Sequence, residues 1–249
     1  MNELYKMTKN IDEVVSLVTV GIIGIGRMGA QLAKIFADHC DLWLYDQDSK
    51  RSDAVAKELG VKTAQYADLF SLEALVVALP TPVMETAFEQ LAGKVKKNQV
   101  LVNIATTQPK EPLEAIIGNK AKVISAKIIG HAYEIAQGEK PIVVVDGEDY
   151  SSVQKVVELF KNLGEVVTGD EAIVPKLNSM ASAEGIKAAY IIKEAMQAEG
   201  IPMEFWKAAV RNVAAGTMKA YASGDAGPFA RQVIAEMEGV ENESKGDEN

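Results

Sequence analysis

The strongest constraint on this chain is a rhythm. From Val18 to about Val167, short β-branched runs alternate with amphipathic stretches. Runs of the first kind suit strands and stretches of the second kind suit helices with one buried face. The alternation therefore predicts a mainly parallel sheet covered by helices, a doubly wound α/β domain. The expected strands are Val18–Gly24, Asp41–Asp46, Ala74–Leu79, Gln99–Ile104, Lys122–Ile129 and Pro141–Asp146, with a last one at Glu165–Val167. Between them, Thr81 followed by Pro82 reads as a helix cap, and Gly60 and Gly164 stand where helices should stop.

After Gly169 the rhythm changes. Ala188, Ile191, Ile192 and Ala195 recur at i, i+3, i+4 and i+7 in a segment that ends at Gly200, which is helical spacing. A second helix is expected from Pro202 to about Ala222, and a third from Pro228 to Met237. Met180 and Met218 are expected on buried helical faces. The resulting plan is an N-terminal extension (residues 1–17), an α/β domain (18–169), a small all-helical dimerisation and substrate domain (170–238) and an acidic tail (239–249). The tail holds Glu241, Glu243, Asp247 and Glu248 with little that is apolar, so it is expected to be disordered and without function. Roughly 70 helical residues make a thin core by themselves, so they are expected to pack on the α/β domain, on a second subunit, or on both; a homodimer through these helices is the expectation.

At 249 residues the chain can bury a core without staples, and its net charge of −9 repels phosphate backbones and anionic lipids. Small ligands are the expected partners, with neither nucleic acid nor membrane among them. No apolar run reaches the roughly 20 residues of a membrane helix, and the lone Cys40 cannot form an internal disulfide, so a cytoplasmic setting is expected. Two histidines and one cysteine give too few ligands for a metal site.

Gly24-Ile25-Gly26-Arg27-Met28-Gly29 lies between the first strand and a helix whose inner face would carry Leu32, Ala33 and Phe36. That context gives the glycine spacing its meaning. Gly24 permits the tight turn, Gly26 lets backbone approach a pyrophosphate, and Gly29 lets helix pack closely on strand, while free N–H groups at the helix start face the phosphates. The α/β domain is thus expected to be a Rossmann domain binding a nicotinamide dinucleotide. Asp46 stands twenty-two residues after Gly24, where a carboxylate meets the adenosine ribose. A carboxylate there favours NAD over NADP, although Lys50 and Arg51 could hold the extra phosphate if their loop turned inward.

These residues resemble the group that contains pyrroline-5-carboxylate reductase, prephenate dehydrogenase and the 3-hydroxyacid (6-phosphogluconate-like) dehydrogenases. Val77-Ala78-Leu79-Pro80 is similar to their later strand and its following loop, which implies that Leu79 and Pro80 lie near the cofactor. Asn103 to Pro109 resembles a hydroxyacid dehydrogenase loop through Thr106 and Pro109, while Asn103 and Ala105 replace its acid and serine. Gly130-His131 is similar to a prephenate dehydrogenase segment whose histidine meets the substrate hydroxyl, with Ala132 and Tyr133 where proline and methionine would stand. Leu159 to Val167 looks like the matching helix and strand of pyrroline-5-carboxylate reductases, but their proline-binding segment has no counterpart. Lys176-Leu177-Asn178 sits where hydroxyacid dehydrogenases carry a catalytic Lys-x-x-Asn, the asparagine one place early.

The resemblance implies an NAD(P)-dependent oxidoreductase acting on a small keto, hydroxy or imino acid. Hydride transfer needs a partner group that gives or takes a proton, usually His or Lys, so His131 and Lys176 are the candidates. The alternative is a non-catalytic protein of the same fold that binds or senses the dinucleotide.

Overall fold

The apolar runs become strands. The computed structural model describes residues 6–7 and 19–239, and carries β1 (Lys6–Met7), β2 (Thr19–Ile23), β3 (Asp41–Tyr45), β4 (Lys62–Thr63), β5 (Ala74–Val77), β6 (Val100–Asn103), β7 (Lys122–Ile129), β8 (Ile142–Asp146) and β9 (Glu165–Thr168). They form one sheet in the order β1-β9-β8-β7-β6-β5-β2-β3-β4. Every neighbouring pair from β4 to β7 is parallel, β8 runs antiparallel to β7, and β1 runs antiparallel to β9. From β2 the chain builds outward through β3 and β4, then returns to β5 and builds the other way. The order therefore reverses between β2 and β5, and an open α/β sheet binds ligands in the crevice beyond such a reversal.

The central strands β5 and β6 are buried at every residue, because helices cover both faces of the sheet. The helices of this part are α1 (Arg27–Phe36), α2 (Ser49–Leu59), α3 (Thr81–Ala92), α4 (Lys110–Ile117), α5 (Ala132–Ala136) and α6 (Tyr150–Phe160). One apolar cluster joins Leu32 and Phe36 of α1 to Val153 and Phe160 of α6, with the rings of Phe36 and Phe160 edge-on at 5.2 Å. A second joins Met84, Phe88 and Leu91 of α3 to Leu113 and Ile117 of α4.

Several local expectations are corrected. Thr81 does not cap α3 with its side chain; Pro80 occupies the cap and Thr81 is the first helical residue. Gly60 ends α2 in the left-handed region, at φ 69°. Gly164, by contrast, follows a helix closed by Lys161, and a Cβ there would lie 2.0 Å from the Pro141 carbonyl oxygen, so close backbone approach is its constraint. Strand β4 was not anticipated: Lys62 and Thr63 are both exposed, so no apolar pattern marks them.

The chain divides into two compact units, residues 1–179 and 180–249. Helix α7 (Ile173–Ala198) contributes to both; α8 (Trp206–Ala208), a π-helical stretch (Ala209–Ala214), α9 (Ala215–Ala222) and α10 (Pro228–Glu238) follow. Within the second unit the Trp206 indole N–H donates to the Ala189 carbonyl at 3.3 Å. The covered stripe on α7 is Gly185, Ala188, Ala189, Ile192 and Met196, so Ile191 turns outward. Met180 and Met218 are exposed, at 59% and 49%, against the expectation of buried faces. No helix among the described residues is long and apolar enough to cross a membrane. The extension at 1–17 lies outside the described residues apart from positions 6–7, and the tail at 239–249 apart from Gly239.

Candidate functional site

The site is built on the turn from β2 into α1. Gly24 has φ 95°, donates its N–H to the Tyr45 carbonyl at 2.8 Å, and has no room for a Cβ, which would fall 2.8 Å from the Ala78 carbonyl oxygen. Gly29 carries the second packing constraint, since a Cβ on it would lie 2.0 Å from the Gly24 carbonyl oxygen. Gly26 is different: a Cβ there would meet no protein atom within 4 Å, and the residue lines a cleft. Nothing in the protein crowds a side chain at that position, so the backbone there is open to the cleft. No side chain caps α1 and its first turn holds no acid, so its leading N–H groups suit an anion.

The cleft encloses about 860 Å³ and has two ends. At one end lie Tyr45, Asp46, Gln47, Arg51, Tyr66 and Gln90; at the other lie Thr106, Thr107, Ile128, Gly130 and His131; Leu79 and Pro80 line it as well. Asp46 does double service at the first end. Its Oδ2 accepts the Ile25 N–H at 2.7 Å, its Oδ1 accepts the Asp48 N–H at 2.9 Å, and the Arg51 guanidinium stands 3.4 Å away. The carboxylate thereby ties the glycine-rich turn to the loop before α2. Tyr66 packs between Tyr45 and Phe70, with the Lys94 ammonium 4.5 Å over its ring, and its buried hydroxyl has no hydrogen-bond partner. Burial pushes that phenol's pKa up.

The second end rests on the loop between β6 and α4, and the loop rests on buried polar groups. Asn103 accepts the Ala105 N–H at 3.0 Å and donates to the Gln108 carbonyl at 2.8 Å. Lys127, only 1% exposed on β7, donates to the carbonyls of Ala105 and Gln108 and lies 3.4 Å from the Glu171 carboxylate. Glu171 in turn accepts the Lys110 N–H at 2.7 Å, satisfying an amide at the open start of α4. Burial, only partly offset by the Glu171 charge, lowers the Lys127 pKa to about 8. Sequence reasoning missed Lys127. The signal available was a single lysine inside the otherwise uncharged run Val123 to Ile129.

Of the residues singled out from sequence, Gly24, Gly26, Arg27, Met28, Asp46, Leu79, Pro80, Thr106 and His131 all line the cleft. Ile25 is buried behind it and Gly29 packs against Gly24. Lys176 is exposed near the start of α7 and is not a lining residue. Its neighbour Asn178 donates to the Ile128 carbonyl at 2.9 Å, fastening α7 to a cleft-lining strand. His131 sits at the rim, where its Nδ1 accepts the Tyr133 N–H at 3.3 Å as the cap of α5. In the neutral ring that leaves Nε2 to carry the proton.

A mainly parallel sheet with this reversal, a glycine turn that leaves room for a ligand, and a carboxylate at the end of the next strand together define a Rossmann-type NAD(P)-binding protein. The family described as the NAD binding domain of 6-phosphogluconate dehydrogenase matches residues 19–174, and the chain belongs to that family. Among curated proteins it is similar to a glycerol-3-phosphate dehydrogenase [NAD(P)+] of Clostridium perfringens, 27% identical over 198 residues. That match covers 67% of this chain but 59% of the relative's length. In fold it is similar to a pyrroline-5-carboxylate reductase from Coxiella burnetii, with a TM-score of 0.68, 14% identity, and coverage of 90% of this chain and 91% of that one. A 3-hydroxyisobutyrate dehydrogenase from Salmonella typhimurium follows at TM-score 0.64 and 18% identity, covering 84% and 79%.

Proposed function

We propose that this chain is an NAD(P)-dependent reductase or dehydrogenase of a small keto, hydroxy or imino acid, and that His131 handles the proton. The observation that carries the reading is the open backbone at Gly26 in the middle of a two-ended cleft. Gly26 and the start of α1 would hold the pyrophosphate, Asp46 the adenosine ribose, and Thr106 and His131 would line the nicotinamide end. When bound there, the cofactor supplies or accepts a hydride. As imidazolium, released from the Tyr133 N–H, His131 gives its Nε2 proton to the carbonyl oxygen or imine nitrogen as the adjoining carbon is reduced and is left as the neutral ring with its proton on Nδ1; in the oxidative direction that neutral ring takes the proton back at Nε2. The carboxylate at Asp46 favours NAD, with Arg51 beside it as the group an NADP phosphate would meet.

We also infer that the protein is a homodimer through the helices of residues 180–239. In that stretch only Met196 is buried, while Ile186, Ile191, Val213 and Phe229 are all more than 60% exposed. A second copy of the same helices is apolar enough to cover them.

NADH consumption measured over a panel of small keto and imino acids tests the enzymatic reading. His131→Asn is expected to lower turnover on the best substrate by roughly a hundredfold while leaving NADH affinity unchanged. Saturable NADH binding with no turnover on any acid would favour a dinucleotide-sensing protein instead. Full activity in the variant would remove His131 from the chemistry and make Lys176 the next position to replace.

A further inference from the structure

Lys127 and Glu171 form a buried ion pair that hydride transfer, as read above, does not use. Their side chains are 1% and 7% exposed and 3.4 Å apart. An ion pair so placed is poor value for stability, because desolvating both charges offsets most of their attraction, and apolar residues of similar volume serve a strand interior as well. What distinguishes this pair is where its hydrogen bonds go. The Lys127 ammonium donates to the Ala105 and Gln108 carbonyls and faces the Glu171 Oε2, which accepts no hydrogen bond, at 3.4 Å. The other Glu171 oxygen accepts the N–H of Lys110. All of these contacts, apart from that between the two ions, fall on one loop, from Ala105 to Lys110.

The same loop places Thr106 and Thr107 on the cleft, with the Thr107 hydroxyl 2.7 Å from that of Thr81 at the start of α3. The ion pair grips the loop on both sides of these threonines, drawing its carbonyls inward. A loop held only by Asn103 would keep one such anchor on each of Ala105 and Gln108 and none on Lys110. We propose that Lys127 is a positioning residue for the nicotinamide end of the cleft: together with Glu171 it fixes the Ala105–Lys110 loop so that Thr106 and Thr107 face the bound dinucleotide. The proposal rests on the dinucleotide reading of the cleft and adds to it the part of the protein that shapes the second end.

The test separates the two ends by using two probes. ADP-ribose fills the adenosine, pyrophosphate and second ribose positions and lacks only the nicotinamide ring, which NADH alone brings to the loop. Wild-type protein is expected to bind NADH more tightly than ADP-ribose by calorimetric titration. In Lys127→Met/Glu171→Gln, which removes both charges at nearly constant volume and leaves no lone buried ion, ADP-ribose affinity should stay within about twofold while NADH weakens by about tenfold or more. A merely structural role would weaken both probes together or neither. Should the double variant fail to fold, Glu171→Gln alone keeps an oxygen for the Lys110 N–H and should shift the NADH to ADP-ribose ratio in the same direction. An unchanged ratio in a folded variant, or wild-type protein that binds both probes equally, overturns the proposal. Wild-type protein that binds neither probe overturns the dinucleotide reading itself.

Discussion

Gly26 and Gly29 stand three residues apart and answer to different constraints. Gly29 is demanded by the protein, because its Cβ would collide with the Gly24 carbonyl at 2.0 Å; at Gly26 a Cβ would touch no protein atom, and the open backbone there is where the proposed dinucleotide would lie. Gly26→Val should therefore leave the urea midpoint of unfolding close to wild type and abolish NADH binding. Gly29→Ala should destabilise by about 2 kcal/mol or more, as overpacking against backbone does. Lys127 gives a third prediction at this scale. Its pKa is lowered from 10.5 to about 8, chiefly by burial. Between those two values the unfolded chain keeps a proton that the folded chain has released, so stability rises with pH across the window. Compared with Lys127→Met/Glu171→Gln, wild-type protein should gain on the order of 1–3 kcal/mol from pH 8 to 10.5 in denaturant titrations. A difference that stays flat with pH would mean that the ammonium remains charged in the folded state throughout.

At the scale of elements, the strands were legible because their side chains declare them, and their ends were not. Leu79 and Ile104 extend apolar runs and look like strand residues, yet β5 stops at Val77 and β6 at Asn103. Beyond those points the backbone turns to form the cleft, and apolar character persists because Leu79 lines the cleft and Ile104 belongs to the core beside it. Asp46 shows a similar overlap of duties. Expected from its spacing to be a ribose ligand, it also bonds Ile25 and Asp48 and so joins two loops. Asp46→Ala should then weaken NAD more than NADP, since only the first uses the carboxylate as an acceptor. It should also cost about 1–3 kcal/mol of stability through the amides it leaves unpaired. Isothermal titration and thermal unfolding of the same variant separate the two losses, and equal losses for the two dinucleotides would move the ribose contact elsewhere.

For the whole molecule, the two units differ in how they are held. The first has two apolar clusters, one on each face of its sheet. The second has Met196 as its buried apolar side chain among the described residues, with Phe229 and Met237 at 78% and 84% exposure. Light scattering at micromolar concentration should report about twice the 26.8 kDa chain mass. Replacing Ile186 and Ile191 with lysine should return it to the monomer, because each charge, on either flank of the covered stripe of α7, would be buried unpaired in a dimer. A wild-type monomer would contradict the inference.

The sequence by itself determined whatever repeats or is local. The period of the apolar runs specified strands and helices, and the glycine spacing with Asp46 specified the turn and the carboxylate beyond it, because each depends on residues close in the chain. The tertiary structure alone decided what depends on distant residues meeting. Lys127 and Glu171 are forty-four positions apart, and nothing local marks them as partners; only the register of β7 beside β6 brings the lysine beneath the Ala105–Lys110 loop. The tertiary structure likewise put His131 on the cleft and left Lys176 off it, although both are residue types that can carry a proton. The outward turn of Ile191 has the same origin. A helical period says that a stripe is apolar, but which edge of it is covered depends on what packs there.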